Sequence, residues 1–73
     1  MKKRVVILGA GISGMGAAML AKKMDLDVFV SDNAQIDANH REILINNKID
    51  WEDNGHSLKN IINADEVIKS PGI

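Results

Sequence analysis

The sequence predicts a doubly wound α/β domain built on an all-parallel sheet. Three observations predict it. Four short apolar runs rich in β-branched residues alternate with three helical patterns, and alternation at this spacing means parallel strands joined by right-handed crossovers. A glycine-rich turn, Gly9-Ala10-Gly11-Ile12-Ser13-Gly14, separates the first strand from the first helix. An acid, Asp32, closes the second strand. The expected architecture has three layers, with about four strands in the order 3-2-1-4 and helices on both faces.

The elements follow in order. Val5-Val6-Ile7-Leu8 is a continuous apolar run, as in a strand buried on both faces. Ser13 to Met24 holds strong helix formers, Ala17, Ala18, Met19, Leu20 and Ala21. Lys22 and Lys23 fall in its last turn, where cations suit the helix dipole. Met15, Met19 and Met24 are expected to pack. Val28-Phe29-Val30 is the second strand. From about Ile36 to Asn47, the residues Ile36, His40, Ile43, Leu44 and Asn47 recur at helical spacing. Ile49 to Trp51 reads as a short third strand, with Trp51 a packing residue, and Asn54-Gly55 as a turn. Ser57 is placed to cap a short helix through Asn63 that carries Leu58, Ile61 and Ile62 on one face. Glu66-Val67-Ile68-Lys69 is the fourth strand, stopped by Ser70-Pro71-Gly72. In the order 3-2-1-4 this apolar strand lies at an edge. The domain over residues 1–73 is therefore expected to be truncated there, with a fifth strand beyond Ile73.

Composition excludes several function classes. At 73 residues the chain is one small domain. It has no cysteine, so disulfide frameworks, CxxC zinc sites and cysteine nucleophiles are excluded. Its net charge of −1 gives no bulk field for nucleic acid or an anionic membrane. Lys2-Lys3-Arg4 precedes only four apolar residues, too few for a signal-peptide core or a membrane span. A cytoplasmic location is expected. His40 and His56 lie on different elements, and Asp53 and His56 lack a third ligand at metal-site spacing, so structural or surface roles are expected. No serine has a histidine and an acid in a recognisable triad, and no G-x-x-x-x-G-K-[ST] loop is present. No catalytic residue is assigned.

The glycine turn carries the chemistry. Gly9 allows a tight exit from the strand, Gly11 lets a phosphate approach the backbone, and Gly14 lets the helix pack close to the sheet. The helix N-terminus, with Ile12 and Ser13, offers free N–H groups and partial positive charge to a diphosphate. A glycine-rich packing turn that binds nothing is the plainer alternative. Asp32, eighteen residues after Gly14, is placed where dinucleotide folds hold ribose hydroxyls; alternatively it caps a turn with Ser31 and Asn33. No Arg or Lys follows closely, which disfavours a 2′-phosphate. Gly72, in the turn after the fourth strand, borders the same crevice and could offer an N–H to phosphate; an ordinary Pro-Gly turn is the alternative.

Taken together, Val5 to Gly14, Val30-Ser31-Asp32 and Ala64 to Ile73 resemble the Rossmann-like N-terminal domain of the Mur ligases. Ser70-Pro71-Gly72-Ile73 is typical of the branch that adds D-glutamate. The resemblance implies a three-domain, ATP- and magnesium-dependent enzyme of peptidoglycan synthesis that joins an activated carboxylate to an amino acid. It implies that this domain holds the uridine diphosphate end of UDP-N-acetylmuramoyl-L-alanine, with no cofactor and no catalytic centre of its own. Carried over by position, Ile12 and Ser13 lie against the uridine and diphosphate, Asp32 and Asn33 face the uracil, and Gly72 offers its backbone to the diphosphate. The family often has a basic residue two places after that acid, where this chain has Ala34. The residues alone leave two alternatives open: the nucleotide-binding start of an FAD- or NAD-dependent oxidoreductase, and a regulatory module with no enzyme attached.

Overall fold

The computed structural model describes residues 2–69 of the chain. The elements are β1 (Arg4–Leu8), α1 (Ile12–Lys23), β2 (Asp27–Ser31), α2 (Ala38–Asn46), β3 (Asp50–Glu52), α3 (Leu58–Ile61) and β4 (Glu66–Lys69). All three strand pairings are parallel, and the sheet order is β3-β2-β1-β4. This is the expected α/β architecture, and its order reverses at β1. The carboxyl ends of β1, β2 and β4 therefore open onto a single crevice.

Side chains alternate across the sheet. Val5 and Ile7 of β1 share a face with their register neighbours Val28 and Val30 of β2. On that face Met15, Ala18 and Ala21 of α1 and Leu44 of α2 complete the core, joined by Ile36 and Ile49. Small residues on α1 let it lie close to the strands. Trp51 and Ile68 pack at the core's margins. The opposite face carries Val6 and Phe29, both buried. It is bound by charge as well as packing. The Arg4 guanidinium lies 5.3 Å from the centre of the Phe29 ring. It donates to the Asn60 carbonyl at 2.9 Å, to Asn63 Oδ1 at 2.9 Å and to Asp27 Oδ2 at 3.1 Å. Arg4 thus ties α3 and the loop before β4 to the start of the sheet.

Four expectations need correction. The α2 helix begins at Ala38, two residues after Ile36. Ile36 is buried in the approach to the helix, and its N–H donates to Asp53 at 3.1 Å. Ser57 stands at the α3 N-cap, but its hydroxyl makes no capping bond; its N–H donates to Glu52 at 2.8 Å. The apolar residues of α3 do not form a packed face: Leu58 is 72% exposed and Ile62 73%. A helix of four residues presents one turn, and Arg4 grips it through a carbonyl rather than through side chains. Met24 is 63% exposed, since it lies at the α1 C-cap rather than on the sheet-facing side. At the edge, β4 leaves Val67 45% exposed.

Candidate functional site at the glycine turn

The turn between β1 and α1 is built from the backbone outward. Gly9 has φ 108°, a region that side chains disfavour. Its N–H donates to the Ser31 carbonyl at 2.7 Å, so β1 and β2 stay paired to the lip of the crevice. Ala10 is buried, and both its backbone groups are held by side chains. Its N–H donates to Asp32 Oδ2 at 2.7 Å, and its carbonyl accepts from His40 Nδ1 at 2.8 Å. A carbonyl only accepts, so Nδ1 of His40 carries a proton.

Gly11 is the α1 N-cap, and Met15 is the first residue to donate into the helix, to the Gly11 carbonyl at 2.9 Å. The N–H groups of Ile12, Ser13 and Gly14 therefore have no partner within the helix. No side chain caps them, and no acid lies in the first turn. Ile12 is 87% exposed and Ser13 is exposed, whereas Gly14 is buried against the sheet. At Gly11 the backbone is extended, with φ −76°, and an added Cβ would meet nothing within 4 Å. The fold thus makes no demand for glycine at this position, while a ligand lying against the backbone would.

Asp32 is half-buried, and its carboxylate is already in use. Besides Ala10, it accepts the Ala34 N–H at 2.8 Å, a local turn of the kind Asp often forms. Its own N–H and carbonyl join β3 and the following turn, through Glu52 at 3.1 Å and Gly55 at 3.1 Å. Asp32 is thus both the turn-capping residue and the brace of the glycine turn. Asn33 beside it is exposed. The structure therefore brings Asp32 to the turn that leads through Gly11 to Ile12, Ser13 and Gly14, with Asn33 beside Asp32 in the chain. Gly72 and its Ser-Pro-Gly-Ile turn lie outside the described residues.

A second cluster borders the site. Ser31 Oγ donates to Glu52 Oε2 at 2.9 Å and also bonds His56 Nδ1, a contact that does not form a catalytic triad. Glu52 further accepts from the Ser57 N–H at 2.8 Å and from Asn60 Nδ2 at 3.4 Å. Here serine, not histidine, is the middle member, and Ser31 is fully buried. The arrangement braces β2, β3 and the start of α3, and it offers no exposed nucleophile. Burial alone raises the Glu52 carboxyl, but hydrogen bonds from Ser57, Ser31 and Asn60 outweigh it, so Glu52 sits below its ordinary value of 4.5. Sequence reasoning missed the clamp of His40 on Ala10 because no local pattern signals it; the contact spans thirty residues.

Comparison with known proteins decides the family. Residues 4–73 match the family described as the MurD N-terminal domain. The chain belongs to that family. Named relatives agree with the assignment of this MurD N-terminal domain. The UDP-N-acetylmuramoylalanine–D-glutamate ligase of Christiangramia forsetii is 51% identical over 73 residues, covering 100% of this chain. The similarly named ligase of Bacteroides thetaiotaomicron is 54% identical over 71 residues, 97% of the chain. That of Chlorobium phaeobacteroides is 39% identical over 71 residues, again 97% of the chain. The chain spans only 15–16% of the length of these three relatives.

Proposed function

We propose that this MurD N-terminal domain holds the uridine diphosphate end of UDP-N-acetylmuramoyl-L-alanine for an ATP-dependent ligase that adds D-glutamate in peptidoglycan synthesis. The observation that carries the proposal is Gly11, unstrained and with open space where a Cβ would stand, at the mouth of an uncapped helix. Anionic phosphate oxygens fit the unpaired N–H groups of Ile12, Ser13 and Gly14 and the positive end of the helix dipole. The exposed Ile12 side chain gives the nucleoside an apolar surface. Asn33 is available to the uracil, and Asp32 contributes mainly by holding the turn in shape.

The dinucleotide reading asks Asp32 to bind ribose with the lone pairs left free by its bonds to the Ala10 and Ala34 N–H groups. ATP and magnesium belong to the remainder of the enzyme. This chain has no triphosphate loop, and among the described residues no three His, Cys, Asp or Glu side chains gather to hold a metal ion. The isolated chain binds without turning over substrate. A cytoplasmic location accompanies this reading, and among the described residues no helix is long and apolar enough to cross a membrane.

The test is an NMR titration of the labelled chain with UDP, NAD and FAD in turn. UDP is expected to shift Gly11, Ile12, Ser13, Asn33 and Gly72 selectively. Shifts with NAD or FAD but not with UDP would overturn the uridine diphosphate reading of the site. An ATP-dependent product from the purified chain would overturn the assignment of catalysis elsewhere.

A further inference from the structure

We propose that His40 is a positioning residue for the glycine turn: by holding the Ala10 carbonyl, it directs the Gly11 N–H toward a bound diphosphate. The inference rests on the uridine diphosphate reading above and adds a residue from α2 to that site.

Ala10 is 4% exposed, so its N–H and carbonyl must be satisfied by the protein. Neither enters a helix or sheet ladder. Asp32 at the end of β2 takes the N–H, and His40 on α2 takes the carbonyl. The Ala10–Gly11 peptide is trans and planar, so its carbonyl and its N–H point in opposite directions. With the carbonyl turned to α2, the Gly11 N–H is turned away from α2. Among the described residues no acceptor pairs with it. It therefore joins the N–H groups of Ile12, Ser13 and Gly14 as a fourth donor for an anion.

The need for a clamp follows from the glycine itself. Rotating the Ala10–Gly11 peptide changes ψ of Ala10 and φ of Gly11. Glycine accepts either sign of φ, so residue 11 presents little steric barrier to that rotation. The residue that gives phosphate room thus also leaves its peptide loosely oriented. Asp32 holds Ala10 from the N–H side but does not set the following peptide. His40 does.

The experiment is an NMR titration of the wild-type chain, His40→Leu and His40→Asn with UDP, inorganic diphosphate and uridine. Asparagine places an amide nitrogen the same number of bonds from Cβ as Nδ1, so it restores the donor. Leucine keeps bulk without it. His40→Leu is expected to weaken UDP and diphosphate about tenfold, as for one lost hydrogen bond, and to leave uridine unchanged. The Gly11 amide resonance should move in His40→Leu before any ligand is added. His40→Asn should bind as the wild type does. Diphosphate bound equally by His40→Leu and wild type, or no rescue by asparagine, overturns the proposal. If the wild type binds diphosphate but not UDP, the proposed function falls and His40 is still judged on diphosphate. If it binds neither, both fall. Should His40→Leu fail to fold, His40→Gln, whose amide lies one bond too far, takes its place with the same expected loss.

Discussion

Replacing Asp32 with alanine should cost stability before it costs binding. The substitution removes two acceptors. One serves the buried Ala10 N–H at 2.7 Å and the other the exposed Ala34 N–H at 2.8 Å. A hydrogen bond to a charged group contributes about 1.5–3 kcal/mol where the partner is then left unsatisfied, as at Ala10. The bond at Ala34 is worth about 1 kcal/mol, because water replaces it on an exposed residue. The expected loss is therefore about 3 kcal/mol. Small domains hold roughly 0.05–0.15 kcal/mol per residue, so a chain of this size has about 4–11 kcal/mol in all, and the loss is a large share. At about 4–8 °C per kcal/mol, the midpoint of thermal unfolding should fall by roughly 15 °C. Asp32→Asn should recover part of this, because its one carbonyl oxygen still accepts one N–H while its amide confronts the other. Urea and thermal unfolding followed by circular dichroism at neutral pH measure both variants. A change in Asp32→Ala below about 0.5 kcal/mol, the ordinary range for surface substitutions, would refute the brace. Asp32 would then have to be explained by ligand contact alone.

Other expectations follow from the same structure. Gly11→Ala should leave the unfolding midpoint nearly unchanged, since its Cβ meets nothing, yet weaken UDP in the titration; a large loss of stability would show that the fold itself needs glycine there. Gly9→Ala should instead lower stability by about 1 kcal/mol or more through its positive φ. Leu44→Ala, at a fully buried position on α2, should cost about 2–5 kcal/mol in denaturant unfolding. Glu52 has a lowered carboxyl, so its contribution is complete above the unfolded value of about 4.5 and is lost as pH falls through the folded one. Unfolding measured from pH 6 to pH 3 should thus show a steeper acid decline in the wild type than in Glu52→Gln, and parallel curves would remove Glu52 as the cause.

Elements whose evidence is local were legible in the sequence. The run Val5 to Leu8 and the glycine turn after it read directly as a strand and a helix start, since chain conformation there depends on neighbouring residues. The misread elements depend on partners that no local pattern signals. Ser57 looks like a side-chain helix cap in isolation, yet its hydroxyl makes no capping bond and its N–H donates to Glu52. Leu58 and Ile62 look like a packed face, but Arg4 from the far end of the chain holds the helix through Asn60. Arg4 reads in the sequence only as the last of three basic residues before the first strand, yet its side chain is only 19% exposed in its pairing with Asp27.

The sequence by itself determined the alternation of strands and helices, the parallel pairing that alternation implies, and the glycine turn that places unpaired N–H groups at a helix start. Those follow from hydrophobic period and backbone freedom, which are properties of short segments. Only the tertiary structure decided that Asp32 Oδ2 braces the glycine turn, that His40 holds the Ala10 carbonyl, and that Ser31 joins Glu52 to His56. Each is a hydrogen bond between groups more than twenty residues apart, or a competition for one carboxylate. Such partners are chosen by how the elements stack, because a buried polar group bonds whatever the packing brings within reach.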